Sequence, residues 1–303
     1  MGRLTVPGVR CRKASRGRGE PLVMLTAYDA PGARTADAAG VDLLLVGDSV
    51  AMVVLGHDDT LSVTVEEMAH HTRAVRRASP EALVVADLPW LSYHVSVEDT
   101  VRNAAVLIRA GAQAVKLEGG MKRVRMVEAL AEAEIPVMGH VGLTPQSMHA
   151  MGGFKVQAKS AEAARSLVED ALAVQAAGAF ALVVEGVPDV VGRLVTDSLE
   201  IPTIGIGAGP WCDGQVLVYH DVLGLEDRVL PTFVRRYADL KRAGVDALSA
   251  FAADVRGGRF PSSAESYHLK PEEAAALGLD PSTGDPSPGG SGPAPDAVAG
   301  LYA

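Results

Sequence analysis

The chain has 303 residues, with 28 Lys and Arg against 37 Asp and Glu, a formal net charge of -9, and only 4% aromatic residues. That acidic, ring-poor composition excludes the basic stacking surface that nucleic-acid binding needs, and a 48% hydrophobic share excludes a chain too polar to fold. No stretch approaches the ~20 apolar residues of a membrane span. Cys11 and Cys212 lack the spacing of a disulfide framework or a Cys/His metal site, so a reducing, cytoplasmic setting is expected.

Residues 1–20 read as a basic N-terminal arm. Arg3, Arg10, Arg12, Lys13, Arg16 and Arg18 precede the first acid, Glu20, and Pro7 and several glycines interrupt any amphipathic helical pattern. From there, short apolar, β-branched runs alternate with longer segments of helical period. The first run is 22–26; Asp29 and Pro31 then open an Ala-rich helix that Gly40 ends. The second is 42–47, followed by a helix whose start carries a Thr64/Glu67 capping box and which stops before Pro80. Run 83–86 leads to a helix from Ser96 to Ala110 with Gly111 as its stop, and run 114–117 to a helix over 122–134. Run 136–139 precedes a long loop rich in Gly, Met and His and a helix over 161–177; run 181–184 precedes a helix over about 189–199; run 201–206 follows. Residues 216–219 fit either an eighth strand or one helical turn, and 230–255 hold at least one more helix.

Strands buried on both faces and alternating with helices imply a parallel sheet. A doubly wound sheet usually marks its ligand site with a glycine fingerprint after the first strand, and none follows 22–26. Eight units in ~240 residues match the α/β architecture of a (β/α)₈ TIM barrel. The barrel is expected over 21–270. Residues 271–303 contain the run PSTGDPSPGGSGPAPD and are expected to be a disordered, flexible tail with too little apolar surface to offset its ordering entropy.

Asp48, Asp87, Glu118, His140 and Glu185 each end one of five successive predicted strands. In a barrel the carboxyl ends of the strands share one face, so these five groups would meet at one cavity. Helix capping explains one or two such acids, but Asp48 and Asp87 lie well before their helices start. Asp48, Asp87 and Glu118 are hard oxygen donors whose crowding asks for a counter-charge, and Mg²⁺ suits that donor set. Lys116, two residues before Glu118, shares its strand face and would meet either a carboxylate substrate or Glu118 itself. His140 is either a core histidine bonded to backbone or a donor to substrate. Glu185 is the candidate proton-transfer group, with its proton affinity raised by a partly dry barrel mouth. The Gly205–Gly209 run, GIGAG, has the look of a phosphate-binding loop. His70 and His71 read as surface or packing residues, and Asp58 and Asp59 as turn residues.

Several stretches in order resemble the ketopantoate hydroxymethyltransferase family: LLVGDSVAM (44–52), GHDDTL (56–61), ADLP (86–89), VKLEGG (115–120), GHVGLTPQS (139–147), GGFKVQ (152–157), VVEGV (183–187) and IGIGAGPWCDGQ (204–215). The resemblance runs from about Thr26 to Pro261. It implies a (β/α)₈ barrel that uses Mg²⁺ and 5,10-methylenetetrahydrofolate to transfer a hydroxymethyl group to 3-methyl-2-oxobutanoate through a Mg²⁺-stabilised enolate, giving 2-dehydropantoate for pantothenate synthesis. It further implies Asp48, Asp87 and Glu118 as metal-site residues. Ser49 and Lys116 would be substrate contacts, with Asp48 and Asp87 also touching substrate, Glu185 the proton acceptor and His140 an active-site histidine. Small-molecule partners and a homo-oligomeric ring are expected, without nucleic acid or membrane. The rival readings are a Mg²⁺-dependent barrel lyase or mutase acting on another 2-oxo acid, and a non-catalytic barrel scaffold.

Overall fold

Alternation along the strands decides the architecture. A computed structural model describes residues 4–13, 20–78, 80–227 and 229–279. Strands β1 (Leu22–Thr26), β2 (Leu43–Val46), β3 (Leu83–Asp87), β4 (Ala114–Lys116), β5 (Val137–Gly142), β6 (Ala181–Glu185), β7 (Thr203–Ile206) and β8 (Gly214–Leu217) pair in parallel with their neighbours and close β8 onto β1. The architecture is the expected (β/α)₈ barrel. Helices follow in chain order as α1 (Val6–Arg10), α2 (Ala30–Ala38), α3 (Val50–Val53), α4 (Val65–Arg77), α5 (Val97–Ala110), α6 (Val124–Glu132), α7 (Met148–Met151), α8 (Ala161–Ala176), α9 (Asp189–Ser198), α10 (Tyr219–Leu223), α11 (Leu240–Arg256) and α12 (Pro271–Ala276). The ambiguous stretch near Val216 is both a strand and a helix, β8 running into α10.

Local chemistry accounts for the helix ends. Thr64 and Glu67 form the complete capping box of α4, Ser96 accepts from the Asp99 N–H at the start of α5, and Gly111 ends α5 at φ 112°. These side chains and turns satisfy backbone groups that a helix terminus leaves without partners.

Two apolar layers share each strand. Leu44 and Val46, Val84 and Ala86, and Leu182 and Val184 belong to the layer beneath the helices; Leu43 and Leu45, Leu83 and Val85, Ala114, Met138, Ala181 and Val183 fill the barrel. Since side chains alternate with period two, the same inward parity continues to Asp87, Lys116, His140 and Glu185. The sequence step that fills the barrel with Leu, Val and Met therefore also aims the ionisable groups at its mouth.

The N-terminal segment departs from the expected arm. Thr5 caps α1, and α1 presents fully buried Val9 to the inner layer among Leu22, Leu43 and Leu83, the first residues of their strands. Leu4 N–H also reaches the carbonyl of Glu81, just before β3. A helix of five residues carries too little periodicity to stand out around Pro7 and Gly8, and tertiary packing supplies its stability. Lys13 is likewise buried: its Nζ lies 2.8 Å from Asp213 Oδ2 and 2.7 Å from the Thr196 carbonyl. Asp213 Oδ2 also accepts from the Thr203 amide (2.8 Å) and hydroxyl (3.1 Å). Arg3, Arg16 and Arg18 lie outside the described residues.

The residues group into two compact units, Met1–Ala238 with the barrel and Asp239–Ala303 with α11 and α12, whereas the sequence carries the expected barrel domain on to 270. In the second unit the Phe251 and Phe260 rings pack edge to face, 5.3 Å between centroids. The start of the expected tail is helical, since Pro271 opens α12 with Glu272 and Glu273 in its first turn; the Pro/Gly/Ser run lies outside the described residues. Removing one partner of a buried, hydrogen-bonded ion pair strands the other charge. Lys13→Met is therefore expected to lower unfolding stability by about 3–5 kcal/mol, measured as a shift of the urea midpoint at unchanged slope.

Candidate active site

The carboxyl ends of the strands open onto a cavity of about 930 Å³. Asp48, Ser49, Asp87, Lys116, Glu118, His140 and Glu185 all line it, so these seven candidates are brought to one place. Asp48, Asp87, Glu118, Lys116 and His140 are each at most 4% exposed.

Lys116 stands at the centre. Its Nζ lies 2.9 Å from Asp87 Oδ1 and 4.0 Å from Glu118 Oε1, so the internal ion pair open in the sequence forms chiefly with Asp87. His140 bridges two carboxylates rather than bonding to backbone: Nδ1 is 3.4 Å from Glu118 Oε1 and Nε2 is 3.2 Å from Glu185 Oε2. Nδ1 also lies 3.3 Å from Lys116 Nζ. Neither Asp87 Oδ1 nor His140 Nε2 has an aligned hydrogen bond, although both are fully buried. The join between His140 and Glu185 depends on Gly142. Its φ is 95°, and a Cβ there would run into the Glu185 carbonyl, to which the Leu143 N–H donates (2.8 Å).

Charge sets the behaviour of the cluster. Burial, then the neighbouring Asp87 and Glu118 carboxylates, push Asp48 well above the usual carboxylate range. Burial also raises Asp87, with Lys116 working against the rise. Burial would raise Glu118, but the His140 ring and Lys116 outweigh it and hold the carboxyl low. Burial alone would lower Lys116, yet the three carboxylates push it up. His140 follows the same logic: burial and Lys116 are overcome by Glu118 and Glu185, which raise the imidazole to about 9. Four acids thus line the cavity with two basic side chains, and Asp48 is the acid among them with no ion pair within 4 Å among the described residues, although Lys116 partly offsets its rise.

The donor set fits a hard divalent cation in kind and in charge. Among the described residues no three His, Cys, Asp or Glu side chains are already drawn together to hold one, and the Lys116 ammonium lies 2.9 Å from Asp87 Oδ1.

Three residues outside the predicted set complete the site. Gln146 Nε2 donates to Asp48 Oδ2 (2.8 Å) and to the Leu88 carbonyl (3.0 Å), and its backbone N–H donates to Glu118 Oε2 (3.0 Å). The Tyr93 hydroxyl is 2.6 Å from Gln146 Oε1 and accepts from the Glu118 N–H (3.1 Å). Tyr28 OH pairs with Ser49 Oγ at 2.8 Å. These residues sit in loops after β1, β3 and β5, where no periodicity marks them. The GIGAG run is shaped by the protein's own packing: Gly207, at φ 61°, lies against the Phe233 ring, where a Cβ would come within 2.6 Å of Cδ1. His71 Nδ1 meets the Tyr28 carbonyl (2.7 Å) and Asp59 accepts from the Leu61 N–H (2.9 Å), a packing and a turn role as expected.

A family model described as ketopantoate hydroxymethyltransferase matches residues 7–263. The chain belongs to that family. It is 52% identical to the 3-methyl-2-oxobutanoate hydroxymethyltransferase of Pelobacter propionicus over 88% of this chain and 98% of the relative. It is 55% identical to that of Moorella thermoacetica, with the same coverage of each chain. Membership of the ketopantoate hydroxymethyltransferase family makes it an enzyme of the transferase class. Solved structures share the barrel: 2,3-dimethylmalate lyase, a member of the PEP mutase/isocitrate lyase superfamily, aligns at a TM-score of 0.55 and 19% identity over 92% of this chain and 96% of its own. Phosphonopyruvate hydrolase in complex with oxalate and Mg²⁺ aligns at 0.56 and 16% identity over 92% and 95%. At such identities the likeness is one of fold. No helix among the described residues is long and apolar enough to cross a membrane.

A buried acid pushed upward by like charges works against folding at neutral pH, since ionising it in the folded state is harder than in the unfolded chain. Asp48→Asn keeps an oxygen to accept from Gln146 and removes one charge. The variant is expected to be more stable than the wild type at pH 7 without added metal, by about 1 kcal/mol or more, read from urea unfolding.

Proposed function

We propose that this enzyme transfers a hydroxymethyl group from 5,10-methylenetetrahydrofolate to 3-methyl-2-oxobutanoate, giving 2-dehydropantoate and tetrahydrofolate for pantothenate synthesis. The observation that carries the reading is the meeting of Asp48, Asp87, Glu118 and Lys116 in one cavity of about 930 Å³ in a member of this family. A five-carbon oxo acid fills little of that volume, which lies at the upper end of small-molecule sites and leaves room for a second, larger ligand. Phe154, Val156, Leu143 and Phe233 supply an apolar wall on which a folate ring system would lie.

Asp48, Asp87 and Glu118 would hold Mg²⁺. When bound, Mg²⁺ supplies Lewis-acid polarisation of the substrate's keto oxygen. Lys116 is poised to turn from Asp87 toward the substrate carboxylate once that acid has another partner, and Ser49, fixed by Tyr28, offers a hydroxyl to the same substrate. Glu185, 13% exposed in its side chain and held by His140, takes the proton from C3. His140, 3.2 Å from Glu185 Oε2, holds the carboxylate in place, so the base is aimed before substrate arrives. Loss of that proton makes C3 nucleophilic toward the one-carbon unit; a C–C bond forms, water supplies the hydroxyl oxygen, and tetrahydrofolate leaves.

Deuterium exchange at C3 of 3-methyl-2-oxobutanoate, followed by NMR in D₂O, isolates the proton step from one-carbon transfer. Glu185→Gln is expected to slow exchange by about 10²–10⁴-fold; wild-type exchange in the variant removes Glu185 as the base. Exhaustive chelation is expected to abolish both exchange and product formation, and activity that survives it removes the metal.

A further inference from the structure

The proposed metal and substrate chemistry needs Asp48 and Glu118 held in fixed orientations, although they come from different strands and repel each other. We propose that Gln146 is the positioning residue that clamps these two carboxylates, and that Tyr93 acts through it by setting the direction of its amide. This inference rests on the Mg²⁺ reading above.

Gln146 is 5% exposed and follows β5, but all four of its polar contacts run to other elements. Its backbone N–H holds Glu118 Oε2 at 3.0 Å, and Nε2 holds Asp48 Oδ2 at 2.8 Å. One residue thus grips both carboxylates, one through backbone and one through side chain. A glutamine amide has two faces, and only one of them can do this. The Leu88 carbonyl, 3.0 Å away, and the Asp48 carboxylate can only accept, so the nitrogen must face them. On the other side the Tyr93 oxygen accepts from the Glu118 N–H, leaving its own proton for Gln146 Oε1 at 2.6 Å. Tyr93 is fully buried, and the Arg123 guanidinium lies over its ring at 5.5 Å from the centroid. The chain Glu118 N–H to Tyr93 to Gln146 to Asp48 therefore has a single direction, and each bond sets the next. It fixes Oδ2 of Asp48 by a neutral donor that adds no charge. A lysine in that place would compete with a metal; a glutamine does not.

Mn²⁺ binding followed by electron paramagnetic resonance, with the metal alone and no substrate, tests the clamp apart from turnover. Gln146→Leu keeps the backbone bond to Glu118 and the side-chain bulk, and is expected to weaken Mn²⁺ binding about 10–100-fold, the usual loss when an outer partner of a metal ligand is removed. Tyr93→Phe should weaken it less, and the double variant no more than Gln146→Leu alone. Factors that multiply in the double variant overturn the action of Tyr93 through Gln146. Wild-type Mn²⁺ affinity in folded Gln146→Leu overturns the clamp. A wild-type protein that binds no Mn²⁺ counts against the metal reading instead, and the clamp is then judged by crystal structures of wild type and Gln146→Leu. A rotated Asp48 carboxylate in the variant supports it, and one left in place overturns it.

Discussion

A desolvated excess of negative charge at the barrel mouth is the constraint to which the rest of the molecule answers. Asp48, Asp87, Glu118 and Glu185 sit where water is largely gone, against Lys116 and His140. Like charges at close range in such a place cost more than surface charges, because solvent does not screen them. Part of the strain is relieved inside the protein: Lys116 is drawn to Asp87, and His140 stands between Glu118 and Glu185, which raise its proton affinity. Asp48 remains without an ion pair among the described residues, its carboxylate held by the neutral amide of Gln146. A site with more carboxylates than cations is a site prepared for a cation and a small anion together.

Such a site needs a rigid frame, and the opposite end of the barrel provides it. There the inner layer is apolar, α1 covers the first residues of the strands, and the Lys13–Asp213 pair ties the N-terminal segment to α9, β7 and the turn before β8. The two buried lysines make the contrast plain. Lys13 has one carboxylate, one carbonyl and no route to a ligand, and its role is structural. Lys116 has several carboxylates and an open cavity, so its partner can change. Burial and pairing are alike in both cases, and the surroundings decide the use.

The loops refine what the strands begin. Strand ends bring five ionisable groups to one level, but their relative orientation comes from the loops after β1, β3 and β5, through Tyr28, Tyr93 and Gln146. All three donate or accept without carrying charge at neutral pH. Neutral partners can lock a charged cluster without adding to its imbalance, which another acid or base would do.

Period-two alternation and helix punctuation are local, so the first seven strands, the caps at Thr64 and Ser96, and the placing of Asp87, Lys116, His140 and Glu185 on one face were legible along the chain. The motifs around them added the family. Pairing was not legible: whether Lys116 would meet Glu118 or Asp87 depends on the register of β3 against β4, where Asp87 lies opposite Lys116. The helix of the basic N-terminal segment and the burial of Lys13 were hidden too, since five residues around Pro7 and Gly8 carry no periodic signal and gain their order from the barrel end they cover. Gln146 and Tyr93 stand in loops more than 50 residues apart in sequence, and only closure of the barrel brings them within 2.6 Å. The sequence by itself determined that Asp87, Lys116, His140 and Glu185 face the cavity, because alternation is a property of each strand. The tertiary structure alone decided which groups touch, because contact depends on register and loop path between strands that are distant in the chain.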